Sequence, residues 1–373
     1  MMKDAKQKDL LFKHFSAQGW FSIPEVPVYF SAGEHHKQKL ITDIDVFGIR
    51  PNDNLRWEVL LGDCKTLKGQ SPANRVIWLS GLMSNYNASE GYIVLQRRAN
   101  QPIEADHKLF ASSMSVFLLD EKDFKTFDHA MVFPDGTDTH SYGAADFEQL
   151  WSLRKRFPGL DPLVEFVSSG AWETAEFTHL LRRAIGEGKA SAKEIDPAKQ
   201  EHNAMVVNLA SVFSVGLAAC VGKVFQRHLH PSTEKELSDA LKTVIWGGKE
   251  QYKFFSDLRK QLLEARGQQH VDDNNLSLPQ WERFVQLSRK MLENPKAAFQ
   301  VPQLLQLASI DLNFGREILP CFDNGQQQSL MLAMHVVDYV ARSSGLPEEV
   351  RKVCESHFVK RLSRSAHEPR GTA

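Results

Sequence analysis

Leu10, Leu11, Phe12 and Phe15 recur at helical spacing within residues 5–18, and the run stops before Gly19, so an amphipathic helix is predicted there. Three β-rich runs follow at 21–30, 40–49 and 56–66, the last two joined by the polar turn RPNDN, which suits a hairpin. Ser71 and Pro72 read as the N-cap and first residue of a second helix ending near Tyr86. A strand at 91–96, a helix from about Ala105, a strand at 115–119 and a helix opened by Asp120 complete the first part. Strands linked through helices imply a mixed sheet flanked by helices.

The pattern changes after residue 130. FPDGTDTHSYGAAD, 133–146, collects turn formers and is the expected linker between a domain at 1–132 and a helical region at 147–373. In that region helical periodicity recurs at 147–157, 160–168, 172–186, 199–228, 233–246, 249–266, 279–294, 301–314, 326–343 and 347–364. The polar stretch 267–279 marks a possible subdivision. No repeat of fixed period is present, so a regular solenoid is not supported.

Residues 203–222 carry no formal charge over a length that suits a bilayer span. Asn208, Ser211 and Ser214 form a polar stripe within it and no aromatic belt flanks it, which favours a buried helix with a span as the alternative. At 42% hydrophobic and 24% charged, the chain of 373 residues has the composition of a globular protein with a large core. A net charge of −1 leaves no global polyanion-binding signature, so any nucleic-acid contact must be local. The four cysteines are widely spaced without a CxxC pair, and the charged N-terminus has no signal-peptide pattern; a cytoplasmic location is expected.

The chemistry concentrates in ITDIDVFGIRPNDNLRWEVLLGDCKT, 41–66. Side chains alternate along a strand, so Asp43 and Asp45 share one face, as do Asp63 and Lys65, and the hairpin brings Asp45 beside Asp63. Gathered carboxylates repel one another, and a divalent cation offsets that repulsion; oxygen donors select Mg²⁺ or Mn²⁺. A lysine two residues from such a carboxylate can orient water or stabilise charge on a phosphodiester in its transition state. Lys68 and Arg75 flank the start of the second helix, where phosphate is attracted, and Lys37 and Lys39 are further substrate-binding candidates. His35 and His36 could suggest a metal pair, but adjacent histidines on a polar hairpin tip read as exposed residues; Arg97 and Arg98, like Lys37 and Lys39, could reach DNA.

Asp45 followed by Asp63-Cys64-Lys65 resembles the D…(D/E)xK signature of the PD-(D/E)XK, restriction-endonuclease-like nucleases, and the order of elements over about 5–130 is similar to the core of that superfamily. The resemblance implies that Asp45 and Asp63 are metal ligands, with the main-chain carbonyl of Cys64 as a third, and that Lys65 is catalytic. It gives Asp43 a secondary acidic role and makes Asp9, on the first helix, a candidate for the additional acid of some relatives, although glutamate is commoner there. It further implies Mg²⁺-dependent hydrolysis of nucleic acid, by analogy DNA, by a homodimer, with defence against foreign DNA as a role. The alternative is an inactive nuclease fold kept as a binding scaffold. The helical region carries no catalytic signature.

Overall fold

The computed structural model describes residues 4–30, 39–66, 71–96, 102–131, 142–174, 176–266, 276–319 and 326–367. The chain divides into two compact units. One comprises Met1–Asn52, Trp57–Ala175 and Leu319–Asp323; the other comprises Asp53–Arg56, Glu176–Ile318 and Asn324–Ala373. The linker expected at 133–146 falls mostly outside the described residues, and the helices after it, up to Trp172, belong to the first unit.

The first unit is a mixed five-stranded sheet with helices on both faces. Its elements run α1 (Ala5–Ala17), β1 (Phe21–Phe30), β2 (Lys39–Pro51), β3 (Trp57–Thr66), α2 (Pro72–Tyr86), β4 (Glu90–Gln96), α3 (Ala105–Ser113), β5 (Val116–Asp120) and α4 (Glu121–Met131). The strands lie in chain order, with β1, β2 and β3 antiparallel and β3, β4 and β5 parallel. Parallel neighbours require crossovers, and α2 and α3 supply them. Three short helices follow: α5 (Ala144–Trp151), α6 (Leu153–Arg156) and α7 (Asp161–Ser168).

Alternation along the strands sorts two cores. Val46, Leu60, Cys64, Tyr92 and Val94 face Leu11 and Phe15 of α1 and Phe124 of α4. Phe47 faces the other way, towards Tyr86 of α2 and Trp172. The close approach of α1 depends on two glycines: a Cβ on Gly48 would lie 2.9 Å from Phe15 Cδ2, and one on Gly62 would overlap Leu11 Cδ2. Residues 8, 11, 12 and 15 therefore share the face that α1 turns to the sheet or to α5, where Phe12 meets Phe147.

The second unit is helical among its described residues: α8 (Leu180–Ser191), α9 (Gln200–His228), α10 (Glu234–Ile245), α11 (Lys249–Ala265), α12 (Trp281–Glu293), α13 (Pro295–Asn313), α14 (Gln327–Ser343) and α15 (Glu348–His367). Helix α9 is the apolar segment at issue above. Its most apolar window is 94% buried, and α8, α10, α12, α13 and α14 pack around it, the placement of a core helix. Its polar stripe is satisfied within the protein: Asn208 Nδ2 donates to Ser309 Oγ on α13 at 3.0 Å, and Ser211 and Ser214 donate to carbonyls of α9.

Two boundaries differ from expectation. Helix α13 starts at Pro295 rather than near 301, because Pro295 takes the first turn, where no N–H is needed, while Pro302 is accommodated in the helix interior. The helix expected from 172 begins at Leu180, after 3₁₀ turns at Gly170–Trp172 and Phe177–His179.

Gly62→Ala is expected to destabilise the first unit by about 1–3 kcal/mol through overpacking against Leu11. Denaturant unfolding checks this, and if the steric account is right the paired variant Gly62→Ala/Leu11→Ala should lose less stability than the sum of the two single variants, because the shortened side chain no longer meets the added Cβ.

Candidate active site

The β2–β3 ladder runs from Pro51↔Trp57 to Val46↔Gly62, whereas β3 continues its pairing with β4 as far as Thr66↔Gln96. Beyond Gly62 the β2 side of β3 is open, and side chains take the place of backbone partners. The Cys64 N–H donates to Asp45 Oδ2 at 2.7 Å, and the Thr66 N–H donates to Asp4 Oδ1 at 3.1 Å. Asp45 and Asp63 lie at this fork, each 1% exposed, next to the carboxyl ends of the parallel strands and the start of α2.

The two carboxylates are joined by Lys65. Its Nζ donates to Asp45 Oδ2 at 3.0 Å and lies 3.6 Å from Asp63 Oδ1. Burial of the ammonium works against its charge, but Asp45, Asp63 and Asp43 outweigh that effect and hold the Lys65 pKa above its ordinary value. Lys65 is therefore a cation at neutral pH. Burial pushes the Asp63 carboxyl above the usual carboxylate value, with Asp45 adding to the shift, while Arg75 and Lys65 oppose it. Burial, then Asp45 and Asp63, raise the Cys64 thiol well above its normal pKa, which leaves it a packing residue facing α1.

Each carboxylate has a second cation. Arg75 grips Asp63 with two bonds, Nε to Oδ2 at 2.8 Å and Nη2 to Oδ1, and its guanidinium stacks 4.1 Å above the Trp78 ring. Lys8 of α1, only 2% exposed, reaches Asp45 Oδ1 at 2.9 Å and also contacts Glu25 of β1. The Lys8–Asp45 contact is an ion pair without an aligned donor, so Oδ1 is buried with no hydrogen bond.

Glu25 has an unusual backbone. Its φ of 59° places a non-glycine residue in the left-handed region inside a strand, between Pro24↔Val46 and Val26↔Ile44. Such a conformation costs about 1–2 kcal/mol. There the Glu25 carboxylate joins those of Asp43 and Asp45, with one oxygen from each within 4.8 Å of the others.

The expected residues thus separate. Asp45, Asp63 and Lys65 come together as anticipated, and Asp43 lies near enough to act on Lys65. Arg75 is paired with Asp63 rather than held free for a substrate. Asp9 is placed elsewhere: it pairs with Lys13 and accepts the Ala144 N–H at the start of α5. Lys39 is exposed at the start of β2, opposite Phe30. Lys37 and Lys68 lie outside the described residues, as do His35, His36, Arg97 and Arg98. The set of close acids contains Glu25 where the resemblance implied Asp63 and the Cys64 carbonyl.

Two participants were not among the expected residues. Lys8 stands three and four positions before Leu11 and Phe12 on the apolar stripe, so helical periodicity alone marks it as a lysine facing inward. Glu25 sits between two prolines in IPEVP, and prolines in a strand mark an irregular edge. Compared with protein-family models, curated proteins and solved structures, the chain shows no match.

Arg75→Ala leaves Asp63 buried without its main partner and is expected to lower stability by about 3–5 kcal/mol. Asp63→Asn in the same background should restore part of it, as read by chemical denaturation. Lys65 gives a pH signature. Its raised pKa contributes stability that is fully present below the ordinary value of 10.5 and is lost as pH rises through the folded value, so melting curves should decline in that alkaline window and Lys65→Met should lack this component.

Proposed function

We propose that the first unit is a restriction-endonuclease-like domain that hydrolyses phosphodiester bonds in nucleic acid with Mg²⁺ or Mn²⁺. The observation that carries this reading is the Lys65 ammonium set between the Asp45 and Asp63 carboxylates at the open fork of the sheet. Two acids from neighbouring strands and a protonated lysine form the arrangement that phosphoryl chemistry needs, and the element order supports the same reading.

The donor set fits a hard divalent cation. Glu25, Asp43 and Asp45 offer three oxygens close together, and Asp45 Oδ1 is buried with the Lys8 ammonium beside it at 2.9 Å and no aligned hydrogen bond. These residues would hold the ion, which would supply Lewis acidity to a phosphate oxygen and acidify a bound water. Lys65, kept protonated by its carboxylates, cannot serve as the base at neutral pH. Its role is to place positive charge where the phosphate becomes more negative and to orient the attacking water. Asp45 holds Lys65 in place through Oδ2, while the Cys64 N–H fixes the orientation of that carboxylate. Asp63, held in place by Arg75, sets the other side of the lysine.

DNA as substrate, a homodimer that cuts both strands, and a role against foreign DNA follow from the resemblance and belong to the same proposal. A second reading, a non-catalytic scaffold, is favoured by the neutralisation of both central carboxylates by Lys8, Lys65 and Arg75.

Incubation with supercoiled plasmid, linear duplex, single-stranded DNA and RNA separates the two readings. Cleavage with Mg²⁺ or Mn²⁺ should cease in EDTA and fall by about 10²–10³ in Lys65→Ala. Cleavage that persists in Lys65→Ala and in Asp45→Asn, or no cleavage of any substrate, would favour the scaffold.

A further inference from the structure

Lys8 occupies an unusual place for a lysine. Its side chain is 2% exposed, and its ammonium contacts Glu25 and Asp45, two of the three acids whose oxygens converge. A divalent ion drawn to those oxygens and the Lys8 ammonium therefore compete for the same charge. Of the neighbouring cations, Lys65 shares Asp45 but takes its other oxygen, Oδ2, and Arg75 serves Asp63, so Lys8 is the cation placed on Asp45 Oδ1.

From this we infer that Lys8 is an internal counter-ion that occupies the Glu25–Asp43–Asp45 site and must leave when a divalent cation binds there, with Glu25 as a ligand of that cation. The inference rests on reading the site as a metal centre, but not on turnover. Removing the Lys8 charge leaves Asp45 and Glu25 with one positive neighbour fewer, which raises the attraction for a divalent ion. The left-handed backbone at Glu25 fits the same account, because strained residues persist where the surrounding structure requires their side chain in a set place. Displacing Lys8 costs affinity, so the site would fill only where the free ion concentration approaches the weakened dissociation constant.

Two measurements on the full chain test this, and neither reads cleavage. In the first, Mn²⁺ is titrated calorimetrically into wild type, Lys8→Gln and Lys8→Gln/Glu25→Gln. Lys8→Gln should bind Mn²⁺ more tightly than wild type by about tenfold or more, and the double variant should lose the gain. In the second, wild type alone is acylated with an N-hydroxysuccinimide ester in EDTA or at saturating Mn²⁺, and the modified lysines are read by peptide mass spectrometry. Lys8 should be protected in EDTA and become reactive with Mn²⁺, relative to the more exposed Lys13 of the same helix. The labelling needs no variant to fold. Affinity unchanged in Lys8→Gln, a gain that survives Glu25→Gln, the absence of Mn²⁺ binding, or Lys8 protected at saturation would each overturn the inference. A protein that binds Mn²⁺ and exposes Lys8 without cutting any substrate would uphold it while removing the nuclease reading.

Discussion

A chain of alternating charges runs through the first unit: Glu25, Lys8, Asp45, Lys65, Asp63 and Arg75, each touching the next. Its middle members are withdrawn from water, and a buried charge is tolerated only beside an opposite one. Every member is therefore held by its neighbours, and the helix and strands that carry them are held in turn. Helix α1 contributes Lys8, β1 contributes Glu25, β2 contributes Asp45, β3 contributes Asp63 and Lys65, and α2 contributes Arg75. With Asp43 counted, four carboxylates face three cations, leaving one negative charge uncompensated among the named groups.

The geometry of the sheet makes that chain possible. If β2 and β3 had stayed paired beyond Val46↔Gly62, the Cys64 N–H could have met a backbone carbonyl, and the Asp45 carboxylate would have had no backbone donor to fix it. The fork thus converts an unpaired strand end into a fixed acid. Close packing of α1 over Gly48 and Gly62 then brings Lys8 within reach, since a helix held further out by a β-carbon would carry its lysine away from Asp45.

Much of the fold could be read from pattern. The helix at 5–18, the strands near 21–30, 40–49 and 56–66 and the Ser71-Pro72 helix start all follow from local periodicity and capping chemistry, which act over a few residues. The α9 polar stripe likewise pointed to a buried helix, and Ser309 supplies the partner that sequence could not name. At α13 the periodic pattern placed the start near 301, whereas the helix begins at Pro295 and carries Pro302 in its interior.

For the site, sequence by itself determined which groups share a strand face: Asp43 with Asp45 and Asp63 with Lys65, because a period of two is a property of the chain. It also placed Lys8 on the buried stripe of its helix, whether or not the residue was singled out. Only the tertiary structure decided the partners. Lys8 rather than Asp9 reaches the acids, Arg75 grips Asp63, and Glu25 joins Asp43 and Asp45. The physical reason is distance along the chain: ion pairing depends on separation in space, and that separation is set by where β2 and β3 part, how closely α1 packs, and a left-handed backbone at Glu25, none of which periodicity encodes.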